Sequence, residues 1–267
     1  MPKVVELALE ACENPNSTVR DVSRIMRLDE AITIKLIHLA NSPYYKTSRA
    51  VDSVEQAMVM LGLKTVTNLM LTLVTGDYFR SAQENYRLQR GELWKHSVAV
   101  AVASQLLGER LHINNTERLF TVGLLHDIGK IILDKVMGNY IATIREYMRE
   151  HSYSYFSAEA HVLGITHADV GAELIRVWEL PEFLQNVIQH HHHPLLTECD
   201  RVEAIIVHLA DNMSNSTGIG VGENPLPLSM QIEAMEEVGL TVERLERVTP
   251  DFIIRFKEAA ALVNVVK

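Results

Sequence analysis

The residues best placed to do chemistry in this chain surround one short run, Leu125-His126-Asp127-Ile128-Gly129-Lys130. A His-Asp pair alone is weak evidence. Here it stands between further imidazoles and carboxylates: Glu92 and His96 upstream, then His167, the run His190-His191-His192-His193 and Asp211 downstream. All lie in segments with helical periodicity. Helices facing one another can bring such groups to one point, and imidazole with carboxylate is ligand chemistry for one or two divalent transition metals.

Each candidate also has a plainer reading. Glu92 and His96 are four apart and share a helix face, which would direct both to one ion. Equally, Glu92 suits a helix start, where the dipole favours a carboxylate. His96 borders the most apolar part of its helix and, once buried, needs partners for its nitrogens. Val122-Gly123-Leu124-Leu125 should bury His126 and Asp127, and a buried carboxylate without a counter-charge is costly. Lys130 either neutralises Asp127 or projects toward a phosphate oxygen as a point charge. His167 opens a helix whose stripe includes Val170, Leu174 and Val177, whereas His161 reads as a surface residue. A helix cannot aim four consecutive side chains at one point, so at most two of the four histidines are ligands. Asp211 ends an apolar helix, as a ligand or as a terminal residue facing water. If Glu92, Asp127 and Asp211 converge, they repel strongly in a low-dielectric pocket unless cations offset them. The donors are nitrogen and oxygen with no thiolate, so iron, manganese, nickel, cobalt and zinc all fit.

The composition narrows the setting. The chain has 267 residues, 47% of them apolar, enough for a substantial core. A net charge of −9 disfavours direct nucleic-acid binding, which needs Lys and Arg against phosphate, but not a small nucleotide held through metal. Cys12 and Cys199 offer neither a disulfide scaffold nor a zinc ribbon. The N-terminus lacks a basic region followed by an apolar run. Lys64 interrupts Ala57 to Gly76, the nearest approach to a membrane span. The expectation is a cytoplasmic protein without a membrane partner.

The elements that must position these groups are helices. Apolar residues at three- and four-residue spacings predict helices over Thr18 to Met26 and Ala31 to Ala40, the latter ended by Asn41-Ser42-Pro43. Ser53 with Gln56 forms a capping box for a helix ending near Gly62, and Leu63 to Val74 follows. Ser81 to Arg90 is polar and charged, either a linker or the solvated part of a helix. Beyond it, helices are predicted over Glu92 to Gly108, the central core helix, then Thr116 to Leu125, Met137 to Glu150, His167 to Trp178, Pro181 to His191 and Arg201 to Met213. Asn215 to Leu228, with Gly218, Gly220, Gly222, Pro225 and Pro227, reads as a surface loop. Two short helices, Thr241 to Arg247 and Asp251 to Val263, close the chain. No alternating strand pattern is found. The fold class is all-α, divided into residues 1–80 and 81–267.

Several blocks together resemble the HDOD family, the HD-related output domain of bacterial signalling proteins, over nearly the full length. They are Val22-Ser23-Arg24-Ile25-Met26-Arg27-Leu28-Asp29, the segment ending in Leu39-Ala40-Asn41-Ser42, Ala57-Met58-Val59-Met60-Leu61-Gly62-Leu63-Lys64, Leu93-Trp94-Lys95-His96-Ser97, Leu124-Leu125-His126-Asp127-Ile128-Gly129-Lys130, Thr166-His167-Ala168-Asp169, Trp178-Glu179-Leu180-Pro181 and His191-His192-His193-Pro194. The resemblance implies an N-terminal helical lobe attached to an HD-type helical core. Around the metal site the chain also looks like the HD-GYP phosphodiesterases. Carried over by motif, their ligand positions fall on Glu92, His96, His126, Asp127, His167, His191, His192 and Asp211. Lys130 falls on their phosphate-contacting lysine, and Pro194 selects His191 and His192 from the run. The Gly-Tyr-Pro motif is absent, with Leu195-Leu196-Thr197-Glu198 in its place, and Glu30 follows Asp29 where HDOD sequences often have proline.

Two functions follow. In the first, the chain is a signalling output module that holds metal and regulates partner proteins, with a homodimer open. In the second, it is a metal-dependent phosphohydrolase of a nucleotide or cyclic dinucleotide, with Asp127 and Lys130 as catalytic groups. The whole-length resemblance ranks the first ahead, and the missing Gly-Tyr-Pro segment counts against cyclic di-GMP as substrate.

Overall fold

The structure is a computed structural model that describes residues 7–8, 11–12, 17–26, 30–45, 49–79, 81–151, 153–219, 230–259, 262 and 264. The expected all-α class holds: the described residues form helices joined by turns, with one isolated antiparallel bridge between Gln83 and Leu88. By Cα packing the chain divides into two units, Met1–Tyr78 with Ile254–Lys267, and Phe79–Ile253. Met1-Pro2, Arg27 to Asp29 and Gly220 to Leu228 lie outside the described residues.

The first unit contains α1 (Val19–Met26), α2 (Glu30–Ala40), α3 (Val54–Leu61) and α4 (Leu63–Tyr78). Val22, Met26, Leu36, Leu39, Ala57, Leu69 and Met70 supply its buried apolar faces. Asn41 explains the end of α2. Its amide donates to the Val51 carbonyl (2.7 Å) and accepts from the Val51 N–H (2.8 Å), satisfying backbone that has left the helix. Ser53 caps α3 by accepting from the Gln56 N–H, while the Gln56 side chain reaches back to the Asp52 N–H.

The second unit is built on α5 (Glu92–Arg110), buried almost throughout from Leu93 to Gly108. The helices α6 (Thr116–Leu125) and α12 (Arg201–Ser216) pack on it. Gly123 makes the first contact close: a Cβ there would fall 2.9 Å from both the Ala101 Cα and the Ser104 Oγ. The remaining elements are α7 (Gly129–Val136), a 3-10 turn at Met137–Tyr140, α8 (Ile141–His151), α9 (Tyr155–Leu163), α10 (His167–Val177), α11 (Glu182–His190), a 3-10 turn at Pro194–Leu196 and α13 (Ile232–Glu237). The last long helix, α14, runs Val242–Glu258.

The structure departs from the sequence reading in several elements, among them α7 and α13, which the spacing does not predict. Ser81–Arg90 is neither a linker nor part of a helix but a folded turn within the second unit. Gln83, Tyr86 and Leu88 are buried, and the Asn85 N–H donates to the Asp134 carboxylate (2.9 Å). Most of its charged residues face outward while Gln83, Tyr86 and Leu88 turn in, a pattern too short to register as periodicity. Helix α9, absent from the expectation, is capped by Ser154, which accepts from the Ser157 N–H, and ended by Gly164 at φ 69°, a conformation glycine adopts freely. The two expected C-terminal helices are one, α14, with Pro250 inside it.

Candidate metal centre

Two of the histidines reach the site by the same local device. His126 follows the last residue of α6 and His191 the last residue of α11, where helix carbonyls lack intrahelical partners. The His126 Nδ1–H donates to the Gly123 carbonyl (2.8 Å) and the His191 Nδ1–H to the Ile188 carbonyl (2.6 Å). A carbonyl only accepts, so each ring carries a proton on Nδ1 and turns Nε2 to the site; burial opposes charge on His126, but Asp127 outweighs it and raises that ring's pKa. Both Nε2 atoms are buried and have no hydrogen-bond partner.

His167 is the first residue of α10, whose start is fixed by a capping box. The Thr166 hydroxyl accepts from the Asp169 N–H, and the Asp169 carboxylate accepts from the Thr166 N–H. His192 follows His191 and rests against Phe156, ring centroids 4.4 Å apart. His96 lies one turn into α5 and Asp211 on α12, 3.0 Å apart from Nε2 to Oδ1. The close approach of Gly129 to α10 brings α7 and Lys130 in. A Cβ on Gly129 would collide with the His167 carbonyl and stand 2.6 Å from the Gly171 N.

Asp127 sits at the centre. Its Oδ1 faces His167 Nε2 (3.3 Å) and His191 Nε2 (4.0 Å). Its Oδ2 faces His126 Nε2 (3.4 Å) and His96 Nε2 (3.7 Å), and accepts from Lys130 Nζ at 2.6 Å. Two groups of potential ligand atoms result, each within 4.8 Å internally: Asp127, His167, His191 and His192, and His96, His126 and Asp127. One carboxylate belongs to both. Asp211 adjoins the second group through His96 and through His126 (3.9 Å). Glu92 joins neither. It is half-buried, and its carboxylate accepts from the Gln89 N–H (3.0 Å) at the start of α5. In the histidine run, His190 caps its own helix at the Asn186 carbonyl, His193 is exposed, and His191 and His192 are buried, while His161 is exposed and stacks on Tyr147.

The electrostatics are those of a site built around charge it does not itself supply. Burial raises the Asp127 carboxyl, but Lys130 and His126 outweigh it and hold the group well below the usual carboxylate range. Asp211 is likewise raised by burial and lowered more by the His96 hydrogen bond. Burial lowers His191 to about 3, with His126 adding to the effect, and holds His192 well below the ordinary imidazole range, with His191 adding to it. His167 goes the other way. Burial opposes its charge, yet Glu159 brings it up to about 9. At neutral pH the metal-free site therefore holds a proton on His167, whose Nε2 lies 2.8 Å from the neutral His192 Nε2.

These residues fit a metal. His126 Nε2, His191 Nε2, His192 Nδ1 and Asp127 Oδ1 are all buried and all without a hydrogen-bond partner. Buried polar atoms are as a rule satisfied, and four such atoms on members of the two adjoining ligand groups match imidazole and carboxylate ligation.

Several supporting residues are not singled out in the sequence. Glu159 on α9 accepts from both the His167 N–H (2.8 Å) and the His167 Nδ1–H (2.7 Å). Tyr86 donates to the same carboxylate (2.6 Å). Ser214 lies 3.3 Å from His96 Nδ1, and Asn215 donates to Asp211 (3.0 Å). His208 donates to the His191 carbonyl (2.9 Å) and Gln231 to the His192 carbonyl (3.3 Å), holding the backbone of the histidine pair from behind. His208, Ser214 and Asn215 could be found from spacing, since they lie within four residues of Asp211 on one helix.

Comparison with known proteins places the chain in context. The HDOD domain family model matches residues 1–194. An HDOD domain protein of unknown function from Geobacter sulfurreducens shares the fold with TM-score 0.79 at 24% identity, covering 99% of this chain and 92% of that one. A candidate phosphohydrolase from Shewanella amazonensis SB2B also superposes with TM-score 0.79, at 22% identity, covering 100% of this chain and 94% of that one. Among curated proteins, ribonuclease Y of Dehalococcoides mccartyi is 25% identical over 231 residues, 85% of this chain and 38% of the relative. An uncharacterised protein of Treponema pallidum is 23% identical over 194 residues, 71% of this chain and 36% of the relative. The chain thus spans well under half of the curated relatives it matches. Fold, motif blocks and family match agree, and this chain belongs to the HDOD domain family.

Proposed function

We propose that this chain is a bacterial signalling output module whose helical core holds one or two divalent transition-metal ions, and that it acts through partner proteins in the cytoplasm. The observation that carries the metal reading is the set of four buried, unpartnered donor atoms around Asp127. The ligands would be His167, His191, His192 and Asp127 for one ion, and His96, His126, Asp127 and Asp211 for a second. Iron, manganese, cobalt, nickel and zinc suit such donors. Membership of the HDOD family supports the output role.

A second reading is a metal-dependent phosphohydrolase of a nucleotide or cyclic dinucleotide. Two features favour it. Asp127 presents one oxygen to each ligand group, as a carboxylate shared by two ions would. Lys130 is the cation at that carboxylate, and its side chain retains 19% exposure, enough to meet a phosphate. A bound ion supplies Lewis acidity toward a phosphoryl oxygen. The metal-loaded protein should be assayed against cyclic dinucleotides and nucleoside mono- and triphosphates. The output reading predicts no turnover or weak turnover across the panel. Fast, metal-dependent cleavage of any member would put the enzyme reading first.

A further inference from the structure

Glu159 and Tyr86 take no part in either ligand group, yet they are among the most deeply placed polar residues of the second unit. Glu159 is fully buried and Tyr86 is 3% exposed. A buried carboxylate needs partners, and Glu159 has three: the Tyr86 hydroxyl on Oε1 (2.6 Å), and the His167 N–H (2.8 Å) and Nδ1–H (2.7 Å) on Oε2. One carboxylate therefore satisfies an unpaired N–H at the start of α10 and orients the imidazole on that same residue. The ring is left with Nε2 directed at Asp127 and His192. Tyr86 comes from the turn at 81–90, whose Asn85 carbonyl accepts from Tyr155 (3.1 Å) and Arg145 (3.3 Å). That turn is pinned on several sides, so the hydroxyl is held in place before any ligand arrives.

We infer that Glu159 and Tyr86 are positioning residues that fix His167 as an Nε2 ligand and set the affinity of the Asp127, His167, His191 and His192 subsite. This inference rests on the metal reading proposed above and names which residues outside the ligand groups control it. The physical basis is general: a carboxylate on the far nitrogen of a ligating histidine holds the tautomer and ring orientation and raises ligand basicity, and its removal costs about 10–100-fold in metal affinity.

The experiment compares wild type, Glu159→Gln and Tyr86→Phe as full chains stripped of metal and titrated with Co²⁺ against a chromophoric chelator. Imidazole NMR of the metal-free proteins gives a readout independent of metal. Glu159→Gln should weaken the tighter Co²⁺ equivalent by about ten-fold or more and alter its d–d spectrum. Tyr86→Phe should act in the same direction by a smaller factor while keeping the wild-type fold. In metal-free wild type, a low-field Nδ1–H resonance should appear that is lost in His167→Gln and shifted in Tyr86→Phe. If wild type takes up Co²⁺ and both variants match it in affinity and spectrum, the inference is wrong and the metal reading stands. If wild type takes up no Co²⁺, the metal reading fails, and an absent low-field resonance would remove the His167–Glu159 arrangement as well. Should Glu159→Gln fail to fold, Tyr86→Phe and the wild-type resonance still decide.

Discussion

At the scale of single residues, the site works by turning imidazole Nε2 atoms inward and leaving carboxylate oxygens shared. His126 and His191 achieve the first by spending Nδ1–H on a helix-end carbonyl, and Asp127 achieves the second by turning one oxygen to each ligand group. Lys130 offsets Asp127 in the metal-free protein. Replacing it by Met leaves that carboxylate with imidazole partners alone, and we expect a loss of about 3 kcal/mol, the low end for breaking a buried pair because Lys130 keeps some contact with water. Thermal melts should show metal-free Lys130→Met well below wild type, with most of the gap closing on metal addition; equal metal-free melting temperatures would count against this account of Lys130. A pH dependence follows from His167. Its pKa is raised to about 9, so at neutral pH the metal-free ring is protonated and an entering ion must displace that proton. His191, lowered to about 3, is already neutral and contributes nothing in this range. Apparent metal affinity of the Asp127, His167, His191 and His192 group should therefore strengthen by about ten-fold per unit from pH 7 toward pH 9 and then level off. An affinity flat across that range would contradict the assignment. Among the site residues, the His126-Asp127 pair, His96, His167 and Asp211 were legible because imidazoles and carboxylates stood beside apolar helix faces. Glu159 and Tyr86 were not, since a lone Glu and a lone Tyr have no spacing to a partner eight or seventy-three residues away.

At the scale of elements, close backbone approach does the positioning. Gly129 lets α7 lie against α10, so that Lys130 and His167 both reach Asp127. In Gly129→Ala the new methyl meets the His167 carbonyl and the Gly171 N, which are backbone and cannot rotate away. We expect about 3 kcal/mol of destabilisation and a marked loss of metal affinity. Gly138 is the control: a Cβ there meets nothing within 4 Å, and Gly138→Ala should be neutral or slightly stabilising. Denaturant titration of the two variants checks the pair, and equal midpoints would refute the close-contact argument. Helical periodicity made α5, α6, α10, α11 and α12 readable in advance. It failed at Ser81–Arg90, where burial rests on Gln83, Tyr86 and Leu88, and at α9, whose Ser- and Tyr-rich start hides a helix that a serine cap and a left-handed glycine define. Among the elements that the sequence concealed, α9 is the one that brings Glu159 to the site.

At the scale of the whole molecule, the all-α class followed from the absence of alternating patterns and from continuous three- and four-residue spacing, and the family followed from blocks spread along the chain. No helix among the described residues is long and apolar enough to cross a membrane. What the sequence could not supply was convergence. Glu92 and His96 share a helix face, yet only His96 enters a ligand group, because Glu92 meets the Gln89 N–H instead. The central claim is that the buried donors around Asp127 hold a transition metal, and metal that binds the folded state alone must stabilise the whole chain. At about a hundred times its Kd an ion contributes about 2.7 kcal/mol, a rise of about 5–10 °C in Tm for a protein of this size. The most direct test is elemental analysis of untagged protein purified without chelator or affinity-metal resin, beside Asp127→Asn. The account predicts near-stoichiometric iron, manganese, cobalt, nickel or zinc in wild type and little in the variant. Wild-type protein that emerges without metal, takes up none of these ions and shows no change in Tm on their addition would contradict it.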